Sequence, residues 1–266
     1  KVELTVIGTD MARVNQQLND LQNTVMSLQS DVDSLKEVVT EPEGPIQTAI
    51  ADVSRLKKIR FSGYVQARYE LAENADDGSS GNTFFVRRAR VKVTANPTKQ
   101  TTIVIQPDIT EDVTLKDAYV NYVLGDNNLV SPSFTFGQFN WPFGYEALES
   151  SSVRETPERS IVVQRLLTGE RDQGLKFTSS LAGPLFWQIG VFNGTGANTK
   201  DNNREKDIVG QLRYAVRPNL DLGVSAYVGT EFIPATDTDP AFEQDKNRWG
   251  ADFQYYLTDT TIKGEW

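Results

Sequence analysis

Residues Phe84 to Ala95 read FFVRRARVKVTA. From Arg88 onward every second position is cationic (Arg88, Arg90, Lys92), and the positions between are Ala89, Val91 and Val93. A period of two is the mark of a β-strand with unlike faces. Neither face reads as an ordinary core, because unpaired cations are costly to bury. The pattern is satisfied if the apolar face meets lipid and the cationic face meets channel water. Arg87 breaks the parity: its position points it outward, where an arginine is tolerated at headgroup level near a strand end.

The same division recurs along the chain. In IRFSGYVQARYEL (59–71), Phe61, Val65, Ala67 and Tyr69 oppose Arg60, Ser62, Gln66 and Arg68; KDAYVNYVL, LDLGVSAYV and RWGADFQYY alternate likewise. Eleven strands are expected, near 59–71, 84–95, 101–108, 115–124, 133–140, 173–180, 185–193, 207–216, 220–229, 247–257 and from 261. Many have the nine to eleven residues, roughly, that a tilted strand needs to cross a bilayer. Short turns such as NPTKQ and RPN are set against longer polar loops such as TGANTKDNNREK, and aromatic residues recur near strand ends (Tyr69, Tyr122, Phe134, Trp187, Tyr214, Trp249). Sided loops and aromatic girdles are features of transmembrane barrels. A soluble β-sandwich or jelly roll predicts the same alternation and stays open at this point.

Composition narrows the function. Mean hydropathy is -0.43, and no apolar run approaches the roughly 18 residues of a spanning helix. The 266 residues contain no cysteine and no histidine, which removes thiolate nucleophiles, Cys/His zinc sites and imidazole catalysis. A net charge of -9 argues against nucleic-acid binding, which needs a basic surface. No cofactor is implied. Pairs drawn from Glu149, Glu155 and Glu158 are weak candidates for glycoside hydrolysis, since sequence spacing does not set the separation that chemistry needs. ADDGSSGN (75–82) and DTDPAFEQD (237–245) are acidic enough for weak Ca²⁺ binding but match no calcium-loop spacing.

Before the strands, apolar residues at Leu4, Ile7, Met11, Val14, Leu18, Leu21, Val25, Leu28, Val32, Leu35 and Val39 alternate spacings of three and four, predicting a coiled-coil stalk over 1–40. EPEGPIQ breaks it, leaving a Pro/Gly break and short helical linker at 41–58. Within the strand region, the connection from Trp141 to Asp172 is the longest and carries Arg154, Arg159 and Arg165. Folded inward, such a loop narrows a channel, and charged side chains at a constriction select ions. The expected pore-lining residues are Arg60, Arg68, Arg88, Arg90, Lys92, Asn140, Arg154, Arg159 and Arg165. Glu70, Asp108, Asp117, Asp221 and Asp252 face the same way by parity.

FFVRRARVKVTA, LKDAYVNY, FTFGQFNWPFGYEALESSS with ERSIVVQRLL, and GERDQGLKF followed by WQIGVFNGTG resemble, in this order, the phosphate-selective porin family of O and P type porins, from Phe61 to Trp266. The resemblance implies an all-β, transmembrane antiparallel barrel of about sixteen strands, trimeric, in contact with outer-membrane lipids, with the long third external loop in the pore. The coiled coil would then lie in the periplasm. Arg88 and Arg90 match the family's RRAR strand and Arg159 its ERS motif; the residue after GQF, usually basic, is Asn140 here. The expected function is passive diffusion of small hydrophilic solutes or ions, either general or with a weak preference for anions such as phosphate. A tether from outer membrane to cell wall, through a periplasmic or cell-wall partner of the stalk, is the alternative. Residues 59–266 would be the N-terminal part of the barrel, with about five more strands expected because open edges are not viable in lipid.

Overall fold

The computed structural model describes residues 2–40, 44–71, 82–110, 112–125, 132–167, 170–181, 183–235 and 240–266. The chain divides into two compact units, Lys1–Lys58 and Ile59–Trp266.

In the first unit, α1 (Val2–Thr40) is one continuous helix and α2 (Pro45–Leu56) follows. Pro45 opens α2 at the position where a missing N–H costs nothing. The Gln47 amide donates to the Val39 carbonyl at 2.9 Å, joining α2 to the last turn of α1. Of the heptad seam, Val14, Leu18, Leu21, Val25, Leu28, Val32, Leu35 and Val39 are all exposed. The apolar stripe has no partner among the described residues.

The second unit is built on one antiparallel sheet of eleven strands. Its strands are β1 (Ile59–Leu71), β2 (Asn82–Ala95), β3 (Thr101–Asp108), β4 (Thr114–Val123), β5 (Ser133–Asn140), β6 (Arg171–Leu181), β7 (Leu185–Phe192), β8 (Asp207–Arg217), β9 (Leu220–Val228), β12 (Arg248–Tyr256) and β13 (Thr261–Glu265). Each pairs with its neighbour in sequence, except that β9 pairs with β12 across an inserted hairpin of β10 (Thr230–Ile233) and β11 (Phe242–Asp245). The alternation predicts eleven strands, and the described residues form thirteen; the hairpin escapes prediction because TEFI and FEQD are too short to show a period. A six-residue helix, α3 (Ile161–Leu166), interrupts the long connection.

β1 and β13 are not paired with each other, so the sheet is not a closed barrel. It is nevertheless strongly curled. Laid flat at about 4.8 Å per strand, eleven strands would hold their edges about 48 Å apart. Yet the Tyr64 hydroxyl on β1 bonds the Ser151 hydroxyl, while the Lys263 ammonium on β13 reaches the Glu149 carboxylate at 3.0 Å. One short piece of loop touches both edges, which requires the sheet to wrap around it.

The two faces have exchanged the usual roles. Phe84 is 82% exposed and Phe136 69%, and Phe61, Val65, Val224 and Trp249 lie open on the same face. On the other face Arg88 is 6% exposed and Asp108 5%, with Gln106, Gln138, Gln188, Gln211 and Asp252 also buried. An apolar cluster on this inner side (Phe139, Trp141, Phe143, Ala147, Val163, Leu167, Phe192, Val209, Tyr227) lies between the strands and the loop that packs on them.

Candidate functional site: a loop fastened to the polar face

The connection between β5 and β6 is held at its root, along its length and at its tip. At the root, Trp141 is buried edge-on against Tyr227, with centroids 5.4 Å apart, and its backbone N–H donates to the Glu170 carbonyl at 3.1 Å. Gly144 takes φ +59, a left-handed turn that favours glycine. Its N–H donates to the Ser225 hydroxyl at 3.0 Å and its carbonyl accepts from the Gln211 amide at 2.5 Å. The next two N–H groups, of Tyr145 and Glu146, both donate to one Glu265 oxygen at 3.0 Å. Strands β8, β9 and β13 therefore anchor the first turn by meeting backbone groups that no helix or strand satisfies.

Along the loop, Arg159 acts as an internal knot. Its guanidinium donates to the carbonyls of Glu146 (2.8 Å), Ala147 (3.0 Å) and Glu149 (3.1 Å), and it pairs with the Glu170 carboxylate. Burial, together with neighbouring Arg154 and Arg171, pulls its pKa down to about 9, which leaves it charged at neutral pH. Asn140, at the end of β5, donates to the Ala147 carbonyl at 2.6 Å. The Glu146 carboxylate accepts from the Ser160 hydroxyl at 2.6 Å, and Ser160 caps α3 by accepting from the Val163 N–H.

The tip converges on Glu158. Its carboxylate receives Arg68 at 2.6 Å, Arg87 at 2.8 and 3.2 Å, and Arg88 at 2.6 Å. Partial burial works against the charge, but these hydrogen bonds outweigh it and hold the pKa at about 2. The presence of Arg87 corrects the outward placement expected from parity. The β1–β2 register steps from Gln66↔Arg88 to Ala67↔Val86, so Arg87 is the extra residue of a β-bulge. A bulge re-aims one side chain without disturbing the rest of the strand; here it turns Arg87 onto the carboxylate that Arg88 already holds.

Acids answer the remaining inner arginines that pack on or beside the loop. Arg90 is paired with Asp108 at 2.9 Å directly across the β2–β3 ladder. Arg171 is paired with Asp117 at 2.7 Å and with Glu170 at 3.0 Å. The three glutamates considered for glycoside chemistry are all committed elsewhere: Lys263 bridges Glu149 (3.0 Å) and Glu155 (2.6 Å), and Glu158 lies in its arginine cluster. The acidic stretch 75–82 lies outside the described residues except for Asn82, as do residues 237–239 of the other.

Between the loop and the strands lies a chamber of about 660 Å³, lined by Ser62, Tyr64, Arg90, Lys92, Thr102, Asn121, Thr135, Asn140, Ser150 to Ser152, Arg159, Arg171 and Lys176, among others. Of the expected pore-lining residues, Arg90, Lys92, Asn140 and Arg159 border it. Arg68 and Arg88 hold the loop tip, Arg154 borders other cavities with two of its nitrogens buried and without a hydrogen-bond partner among the described residues, Arg60 is exposed outside the chamber, and Arg165 is exposed on α3. Sequence reasoning missed Lys176, Lys263 and the pairing roles of Glu158, Asp108 and Asp117. Of these, the Arg90–Asp108 pair was within reach, because both residues carry inward parity in adjoining strands.

An antiparallel sheet that exposes its apolar face and wraps its polar face around a fastened loop belongs to the class of membrane-embedded β-proteins whose lumen carries solutes. Residues 59–251 match the family model described as phosphate-selective porin O and P. The chain belongs to that family, which makes it an outer-membrane porin, a channel former and not an enzyme. No individually curated protein matches it.

Proposed function

We propose that this chain forms a general or weakly anion-preferring channel for small hydrophilic solutes and ions, phosphate among them, constricted by the loop from Trp141 to Glu170. The observation that carries this reading is the polar chamber of about 660 Å³ between loop and wall, lined by hydroxyls, amides and more cations than acids. The functional barrel is closed, with about sixteen strands as in the family resemblance, and assembles as a trimer. Pairing of the inner arginines with acids supports weak rather than strict anion preference, and Lys92 and Lys176 are the chamber cations without an ion-pair partner among the described residues. Single-channel recording of the full-length protein tests the reading: it predicts ohmic conductance with modest anion preference, and no conductance or strong cation selectivity would contradict it.

A second role, as a tether between outer membrane and cell wall, is favoured by the exposed seam of α1. At about 1.5 Å per residue its 39 residues span roughly 58 Å. In a parallel coiled coil, Asp31 of one copy lies beside Lys36 of the next at the flanking positions, an attractive pairing that favours self-association in register. Deleting residues 1–40 tests it: a tether variant loosens the envelope, whereas a stalk without that role leaves the envelope intact.

A further inference from the structure

We propose that Glu158 is a tethered counter-anion that sets the ion selectivity of the channel. The proposal rests on the porin reading above and assigns its selectivity to one side chain.

The cluster around Glu158 has the form of an anion site. Three guanidiniums from two adjacent strands converge on a single carboxylate, two of them from the consecutive residues Arg87 and Arg88. Aiming consecutive strand residues at one point requires the bulge at Gln66/Ala67, so the backbone itself is shaped for the convergence. Forked guanidinium donors on an oxyanion are the geometry by which proteins hold carboxylates and phosphates. Here the oxyanion belongs to the chain. Because it is attached to a loop fastened by Arg159 at the next residue and by Ser151 on β1 and β2, its effective concentration at the arginines exceeds that of a dissolved anion.

The charge balance gives the consequence. Three cations and one anion leave the cluster at +2. Removing the carboxylate charge raises it to +3 and frees donors for solutes; removing one arginine lowers it to +1; removing both restores +2. Selectivity therefore follows the sum and not the integrity of the contact. A role confined to holding the loop predicts instead that every variant that breaks the contact behaves alike.

The test is the reversal potential of the full-length protein in planar bilayers under a potassium chloride gradient, for wild type, Glu158→Gln, Arg88→Gln and the double variant. Glu158, Arg87 and Arg88 border a cavity that shares Arg90 and Arg159 with the chamber, so Glu158→Gln should raise the chloride-to-potassium permeability ratio by about threefold to tenfold, as expected for one unit charge beside an ion path, and added inorganic phosphate should reduce its current more than that of wild type. Arg88→Gln should move the ratio the opposite way, and the double variant should return close to wild type. Unchanged ratios, or the same displacement in all three variants, would overturn the proposal. If Glu158→Gln fails to fold, Arg68→Gln and Arg88→Gln carry the test, since each must shift the ratio toward potassium and the absence of a shift refutes it. A wild-type protein that does not conduct refutes the porin reading instead.

Discussion

The two faces of the eleven-stranded sheet show how one alternating sequence can satisfy two solvents. On the outer face the strands present Phe61, Val65, Phe136 and Val224, all largely exposed, and Trp249, whose ring meets only that of Trp266 among the described aromatic rings. On the inner face arginines, aspartates and glutamines are buried, many of them held by a partner on another strand or on the loop. In a soluble sheet the apolar face makes the core and water takes the polar one. Here the polar face encloses material, and ion pairs with the inserted loop add to the apolar cluster packed beneath it. The difference teaches that inner-face stability depends on charge pairing as well as on that cluster, whereas the outer face needs only to stay apolar.

That contrast can be broken from either side. The largest effect is expected from Asp108→Ala, which leaves the Arg90 guanidinium buried without its acid; with both side chains under a tenth exposed, the loss should be about 3–5 kcal/mol of unfolding free energy, read by urea titration in detergent. Next, Val224→Lys puts a charge at mid-strand on the exposed face of β9 and should cost about 2–4 kcal/mol in a bilayer. The same substitution at a surface residue in water would cost little, so a negligible effect in lipid would mean this face does not meet the membrane.

Acid tests the loop more gently. The Glu158 pKa lies below its ordinary 4.5, at about 2, so its contribution is present in full above about pH 4.5 and is lost as pH falls through about 2. The contribution is on the order of 2–3 kcal/mol, discounted for partial solvent access. Pepsin should leave the loop intact at pH 4 and cut it near pH 2. Cleavage already complete at pH 4 would mean the arginine cluster does not hold the tip.

Much of this architecture is legible in the sequence because a strand between two solvents cannot hide its period. IRFSGYVQARYEL and LDLGVSAYV each show which residues face which way, and the eleven sheet strands fall where alternation places them. The hairpin of β10 and β11 and the six residues of α3 are too short for a period to be read. Arg87 misleads because parity fails across a bulge, and nothing in VRRAR announces one. The site was half legible: the cations and the long loop stand out, but the bonds from Glu158 to Arg68 and Arg88 span 90 and 70 residues. Such pairings arise from how the loop folds back, and no local pattern encodes them. Gly144 likewise reads as one more glycine until its left-handed turn is seen gripping β9.

These 266 residues hold no cysteine, and the claim that lipid meets one face and water the other can be tested by single cysteine substitutions in a full-length background kept free of any other cysteine. Val91→Cys, Lys92→Cys and Val93→Cys, in full-length protein in outer-membrane vesicles, would be treated with a water-soluble, membrane-impermeant maleimide. The account predicts labelling at Lys92, which borders the chamber, and protection at Val91 and Val93. Equal labelling at all three, or labelling at the valines alone, would contradict it.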